Sequence, residues 1–292
     1  MDIQVISTIE NAKQYLHSAR SSQIDLNELW QIHMIEPFWA DLAKWAPFDI
    51  SYMQPQYIRD LEALKGQIAL LSDFLLSDMT ILPMDYLHKK FVNIAKALPI
   101  EDDDTMLVAI YPLCDSSKIV KVRQNGVVGA CVFGNIIINV NPLADDWHKW
   151  IPFVFVHEYH HKVWGHNWYT VRGGVGLEGT LLEYLINEGQ ADLFAQSLFP
   201  DLTLGWNRPF DSENEKVLWK RIKPNLFSID REVHRLYMFG DESDSLPWCL
   251  GYSFGSAIVR DYMQNHPGIT FLDLIDVPAR EVFEVSRFNF SS

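Results

Sequence analysis

Cysteine is scarce in this chain: three stand in 292 residues, at Cys114, Cys131 and Cys249. None forms a C-x-x-C pair, and an odd number does not suit a disulfide framework, so a reducing compartment is expected. Positive charge is also short. Lys and Arg total 24 against 38 acidic residues, a formal net charge of −14. Phosphate backbones demand a basic surface, which argues against nucleic acid as a partner and against anionic membranes. No apolar run reaches the roughly 20 residues that span a bilayer. The opening Met1-Asp2-Ile3-Gln4 lacks the basic stretch and apolar core of a signal peptide, so the expectation is a soluble, cytoplasmic protein. Repeats and low-complexity segments are missing too, and Gly173-Gly174 with Gly176 and Gly179 lacks the lysine-serine/threonine ending of a phosphate loop. A hydrophobic content of 48% is ample for a packed core and excludes an unfolded chain.

Against these absences stands one dense run, His157-Glu158-Tyr159-His160-His161. It spells H-E-x-x-H. With about 3.6 residues per helical turn, His157 and His161 project from one side, and Glu158 sits beside them, close enough to address a metal-bound water. This is the spacing of zinc peptidases. Pro152 near a first turn and Gly165 near a C-terminus bracket the expected helix. Downstream, Thr180-Leu181-Leu182-Glu183 reads as a capping box that opens a second helix through Leu185, Ile186, Glu188, Ala191, Asp192, Phe194 and Ala195. Glu188 and Asp192 share one face of it. The pattern E-x-x-x-D therefore offers a third, oxygen ligand in Glu188 and a carboxylate, Asp192, able to orient a ligand imidazole.

Over roughly residues 130–200 the chain resembles the gluzincin zinc metallopeptidases, which pair H-E-x-x-H with E-x-x-x-D on a following helix. Three runs together, His157 to His161, Asn187-Glu188-Gly189-Gln190-Ala191-Asp192 and Gly251-Tyr252-Ser253-Phe254-Gly255, resemble the YjaZ-like family of predicted bacterial zinc-dependent proteases over the C-terminal two-thirds. The resemblance implies zinc on His157, His161 and Glu188, Glu158 as general base, and Asp192 as the outer partner of His157. A metzincin pattern needs glycine three and histidine six residues after His161, where Trp164 and Asn167 stand. Gly165 and His166 are each one out of register. His166 or His160 is the alternative third ligand.

Three protein ligands leave one position open, where zinc lowers the pKa of bound water toward about 7. Glu158 would accept the proton as the water attacks a scissile carbonyl and pass it to the leaving amine. An oxyanion donor is still required. Tyr252 is the first candidate, a phenol between Gly251 and Gly255, with His234 and Tyr237 as alternatives. The expected function is a zinc-dependent peptidase acting on peptide or protein substrates. A zinc-stabilised binding or regulatory protein without hydrolytic activity is the alternative, and a non-peptidase hydrolase is a third, because activated water does not choose an amide by itself.

The expected fold is α+β and mostly helical. An N-terminal helical region is read over residues 1–104, with a capping box at Ser7-Thr8-Ile9-Glu10, amphipathic stretches near 56–77 and 84–97, and Trp30, Phe38, Trp39 and Trp45 as packing residues. Glu101-Asp102-Asp103-Asp104 reads as a solvated linker. A zinc metallopeptidase-like domain is read over 105–292, opening on a small, mostly antiparallel sheet. Its expected strands are Met106 to Tyr111, Ile119 to Arg123, Val127 to Val132 and Ile136 to Val140, with a hairpin signal at Asn125-Gly126. The last of these is either an open edge that could take a peptide as an extra strand or an ordinary buried strand, since Ile136-Ile137-Ile138 is apolar on both faces. After the motif helices, Ser212-Glu213-Asn214-Glu215 suggests another capped helix.

Overall fold

The computed structural model describes residues 1–21, 23–42, 61–75, 83–113, 123–132, 134–207 and 209–290. Internal packing divides the chain into two compact units, Met1–Lys162 and Val163–Ser292. The architecture is α+β and mostly helical, with one four-stranded sheet.

In the first unit, strand β1 (Asp2–Ser7) is followed by helix α1 (Ile9–Ser21), α2 (Leu26–Trp30), a π-helical turn over Gln31–Ile35 and α3 (Glu36–Leu42). Helices α4 (Leu61–Leu75) and α5 (Pro83–Ala95) lead to β2 (Thr105–Pro112), β3 (Val127–Val132) and β4 (Asn135–Val140). The strand order is β1-β2-β4-β3. β1 pairs parallel with β2, β2 parallel with β4, and β4 antiparallel with β3. The sheet is thus mixed, with parallel pairing in two of its three ladders, and the mostly antiparallel expectation is corrected. The cause is that β1 reaches β2 only after the intervening helices, and a return across such a connection makes parallel pairs. The segment read as helical throughout therefore opens on a strand. The Ser7 to Glu10 box gives way to Thr8, whose buried hydroxyl donates to Ile110 O at 2.8 Å.

β4 is an interior strand, so of the two readings of Ile136–Ile138 the buried one holds: all three are at most 4% exposed. Among the described residues the outermost strand on that side is β3. Asn125 and Gly126 carry φ of 52° and 76°, and Val127 N–H donates to Gln124 O at 3.1 Å, which closes the turn expected there. The Ile119 to Arg123 strand falls, except for Arg123, outside the described residues, as does Trp45. Trp30 is buried edge-on against Tyr15, and Phe38 meets Tyr111 edge-on.

Helix α6 (Trp147–Gly165) carries the histidine motif. It begins before Pro152, which sits inside the helix instead of in its first turn. Phe155 stacks on Phe91 of α5 at 3.9 Å and on Tyr159 at 5.7 Å. The Tyr159 hydroxyl donates to Leu98 O at 2.9 Å. Within the motif, the residue between Glu158 and His160 is therefore an anchor. Its burial raises the phenol above its ordinary range.

The second unit continues through a π-helical segment over His166–Val171 and then α7 (Leu181–Leu198), α8 (Ser212–Ile222), α9 (Arg231–Phe239) and α10 (Leu250–Asn265). Short helices α11 (Phe271–Ile275), α12 (Ala279–Val285) and α13 (Arg287–Phe290) close it. Its core joins Leu181, Leu185, Trp219, Leu250, Phe254 and Phe288. The cap of α8 is Asp211, whose carboxylate accepts from Glu213 N and Asn214 N, so Ser212 is the first helical residue and not the expected cap. No helix among the described residues is long and apolar enough to cross a membrane.

Candidate metal centre

One helical turn separates His157 from His161 on α6, and their Nε2 atoms stand 3.1 Å apart with the rings nearly perpendicular, at 85°. Two nitrogens held about 2.05 Å from one tetrahedral zinc would lie about 3.3 Å from each other. The pair is thus already at ligand spacing. With Glu188 on α7 the pair forms a group that could hold a metal ion: one potential ligand atom from each of His157, His161 and Glu188 lies within 4.8 Å of the others. Two imidazole nitrogens and a carboxylate oxygen form the donor set that suits zinc with one position left open. Among the described residues no such cluster includes His160 or His166, the alternative third ligands.

Glu158 is 7% exposed. It lies against β3, where a methyl group added at Gly129 would stand 2.5 Å from its Cγ and 2.6 Å from its Oε1. Side chains alternate along a strand, so Cys131 shares the Gly129 face. Burial and then the Glu158 charge push the Cys131 thiol up to about 12, against smaller lowering effects of the Gly134 backbone and Lys162. Lys162, the residue after the second motif histidine, forms a buried ion pair with Asp102 at 2.6 Å. The acidic run is therefore no solvated linker at Asp102, which is 8% exposed in that pair. It clamps the end of the motif to the segment entering β2.

The α7 capping box is present as expected, with Thr180 Oγ1 accepting from Glu183 N and the Glu183 side chain returning to Thr180 N. The Glu183 carboxylate also accepts from Glu178 N at 2.9 Å and Gly179 N at 2.6 Å. The glycine loop before α7 is thus hydrogen-bonded at its end. Farther along, α7 and α10 cross backbone to backbone: a Cβ on Gly189 would stand 2.3 Å from Gly255 C, and one on Gly255 would stand 1.9 Å from Leu185 O. Glu188 directly precedes Gly189 at that crossing. Asp192, fully buried, accepts from Trp206 Nε1 at 3.1 Å and Asn207 Nδ2 at 2.9 Å. Asn207 also donates to Ser256 Oγ of α10.

Tyr252 lies half-buried on α10, with its ring 6.2 Å from Phe239. The glycines flanking it serve packing and not a close approach by substrate, because Gly251 faces Met238 of α9 and Gly255 faces α7. His234 places Nε2 2.7 Å from Ser228 O, and the Tyr237 hydroxyl accepts from Asn225 at 3.2 Å. Gly129, Trp206 and Asn207 are neighbours of these residues that carry no motif in the sequence. Glycine in the middle of a strand was the one available signal.

A family model described as "Predicted Zn-dependent protease (DUF2268)" matches residues 85–284, and the chain belongs to that family. The match takes in His157, Glu158, His161, Glu188, Asp192 and Tyr252. Among curated proteins the chain is similar to "Uncharacterized protein YjfC" of Bacillus subtilis (strain 168), 32% identical over 155 residues. That similarity covers 47% of this chain and 49% of the relative, so the chain spans about half of the relative's length. No solved structure matches.

Proposed function

We propose that the chain is a zinc-dependent peptidase of the gluzincin kind, cleaving peptide or protein substrates. The observation that carries this reading is the convergence of His157, His161 and Glu188 within 4.8 Å, with the buried Glu158 next in sequence to the first of them. The family's description as predicted zinc-dependent proteases points the same way.

In this reading His157, His161 and Glu188 hold the metal, and Asp192 orients a ligand. When bound there, zinc would supply an acidified water and a Lewis acid for the scissile carbonyl. Glu158 would take up the water's proton and return it to the leaving amine. Its burial suits it to that task, since a carboxylate withdrawn from bulk solvent exchanges its proton with what the site presents. Tyr252 is the proposed donor to the developing oxyanion. A cytoplasmic setting is proposed on the cysteine content.

Glu158→Gln tests the reading. It should keep its zinc while hydrolysis of a quenched-peptide library falls by roughly a hundredfold or more, the scale of general-base catalysis. Turnover equal to wild type would remove Glu158 from the mechanism. A wild type that keeps zinc and cleaves nothing in the library would favour a zinc-stabilised binding protein.

A further inference from the structure

We infer that Gly129 of β3 is a positioning residue for Glu158, with the bare backbone at this point forming the wall that sets where the carboxylate stands. The inference rests on the reading of Glu158 as the base. The placement it describes is a property of the first unit alone.

Strand β3 presents Val127, Gly129 and Cys131 on one face, by the alternation of side chains. The exposed Ala130 points the other way. On the first face a Cβ at position 129 would meet Glu158 Cγ at 2.5 Å, Glu158 Oε1 at 2.6 Å and Val154 Cγ1 at 2.6 Å. Each separation is well inside van der Waals contact, about 3.5–4.0 Å between carbons. Val154 and Glu158 are one turn apart on α6, so the glycine lies in the groove between two successive side chains of the motif helix. Cys131, two residues on along the same face, has its thiol raised by burial and next by the Glu158 charge, in keeping with a carboxylate beside this face of the strand.

The glycine is not explained by the backbone. Gly129 is absent from the positive-φ residues, and it pairs regularly with Ile138, so any residue could adopt its conformation. What excludes a side chain is the space taken by Glu158 and Val154. The two differ in how they can yield. Val154 is β-branched and stiff within a helix, whereas Glu158 has freely rotating bonds between backbone and carboxylate. An added methyl group is thus accommodated most cheaply by moving the Glu158 carboxylate. The fold and the metal ligands are left in place.

The test compares Gly129→Ala, Val154→Ala and the double variant in the full chain, the double variant removing the Val154 contact and keeping the one with Glu158. Three quantities are read: zinc per chain, kcat and KM on a quenched peptide, and the carboxylate position in a crystal structure of the zinc-free double variant. The expected result is unchanged zinc, KM near wild type, kcat lower by about a hundredfold in both variants carrying Gly129→Ala, and a carboxylate displaced by about 1 Å. Val154→Ala alone should turn over as wild type does. An undisplaced carboxylate, or undiminished kcat with zinc retained, overturns the inference. If the wild type cleaves no peptide, the peptidase reading fails while the crystallographic comparison still decides the placement. Should the variants carrying Gly129→Ala not fold, the triple variant Gly129→Ala, Val154→Ala, Glu158→Ala must fold, and its failure would put the collision elsewhere and overturn the inference as well.

Discussion

Glu158 is a carboxylate with little water around it, 7% exposed, on a helix whose next turn carries two imidazoles. A group so placed is costly to keep unless neighbouring dipoles or a cation compensate it. That cost is the residue-scale reason to read it as functional and not as a solvated surface acid. The adjacent Cys131 gives a pH-dependent consequence. Its thiol is raised to about 12 in the folded chain, mainly by burial and next by Glu158, against about 8.5 in an unfolded one. Below about 8.5 both states are protonated and the thiol is neutral to stability. As pH climbs from there toward 12, only the unfolded chain loses the proton, so stability falls. Cys131→Ala should therefore flatten the alkaline decline of unfolding free energy measured by urea titration between pH 8 and 10. An identical slope in the variant would show that the thiol is not held protonated.

Two helices carry the candidate site, and each is held at a definable point. The motif helix is clamped by Asp102 on Lys162 and by Tyr159 on Leu98. Removing one partner of a buried pair leaves the other charge uncompensated, so Asp102→Ala should cost about 3 kcal/mol in the first unit's stability by chemical denaturation. A cost within measurement error would mean the pair is solvated in solution. Helix α7 depends on Thr180 at its start, where Thr180→Ala should cost about 1 kcal/mol, read in the same assay on the second unit. These elements also mark what local patterns can and cannot reveal. The capping box, the Asn125-Gly126 turn and the H-E-x-x-H helix were legible because each is written within a few adjacent residues. The parallel pairing of Asp2–Ser7 with residues 105–110 was not, since its partner lies a hundred positions away and leaves no mark in the local sequence. For the same reason the acidic run at 101–104 looked like a linker, although Lys162 makes Asp102 a structural residue. Gly129 was invisible because its meaning lies in the Glu158 side chain that faces it.

At the scale of the whole molecule, a net charge of −14 favours a bound divalent cation over an anionic ligand by long-range attraction. If zinc binds the folded chain and not the unfolded one, it stabilises by mass action, and wild-type thermal stability should rise with free zinc and fall on chelation. The Glu188→Ala variant should be insensitive to both treatments. The family match over residues 85–284 covers parts of both units, so metal binding and fold are tested together in the complete chain. The most direct test is the zinc-to-protein ratio of wild type and Glu188→Ala, by elemental analysis after loosely bound metal is removed. About one zinc per chain in the wild type, lost in the variant, is the result that a three-ligand centre on His157, His161 and Glu188 requires. No zinc in the wild type after reconstitution, or equal zinc in the two proteins, would contradict it.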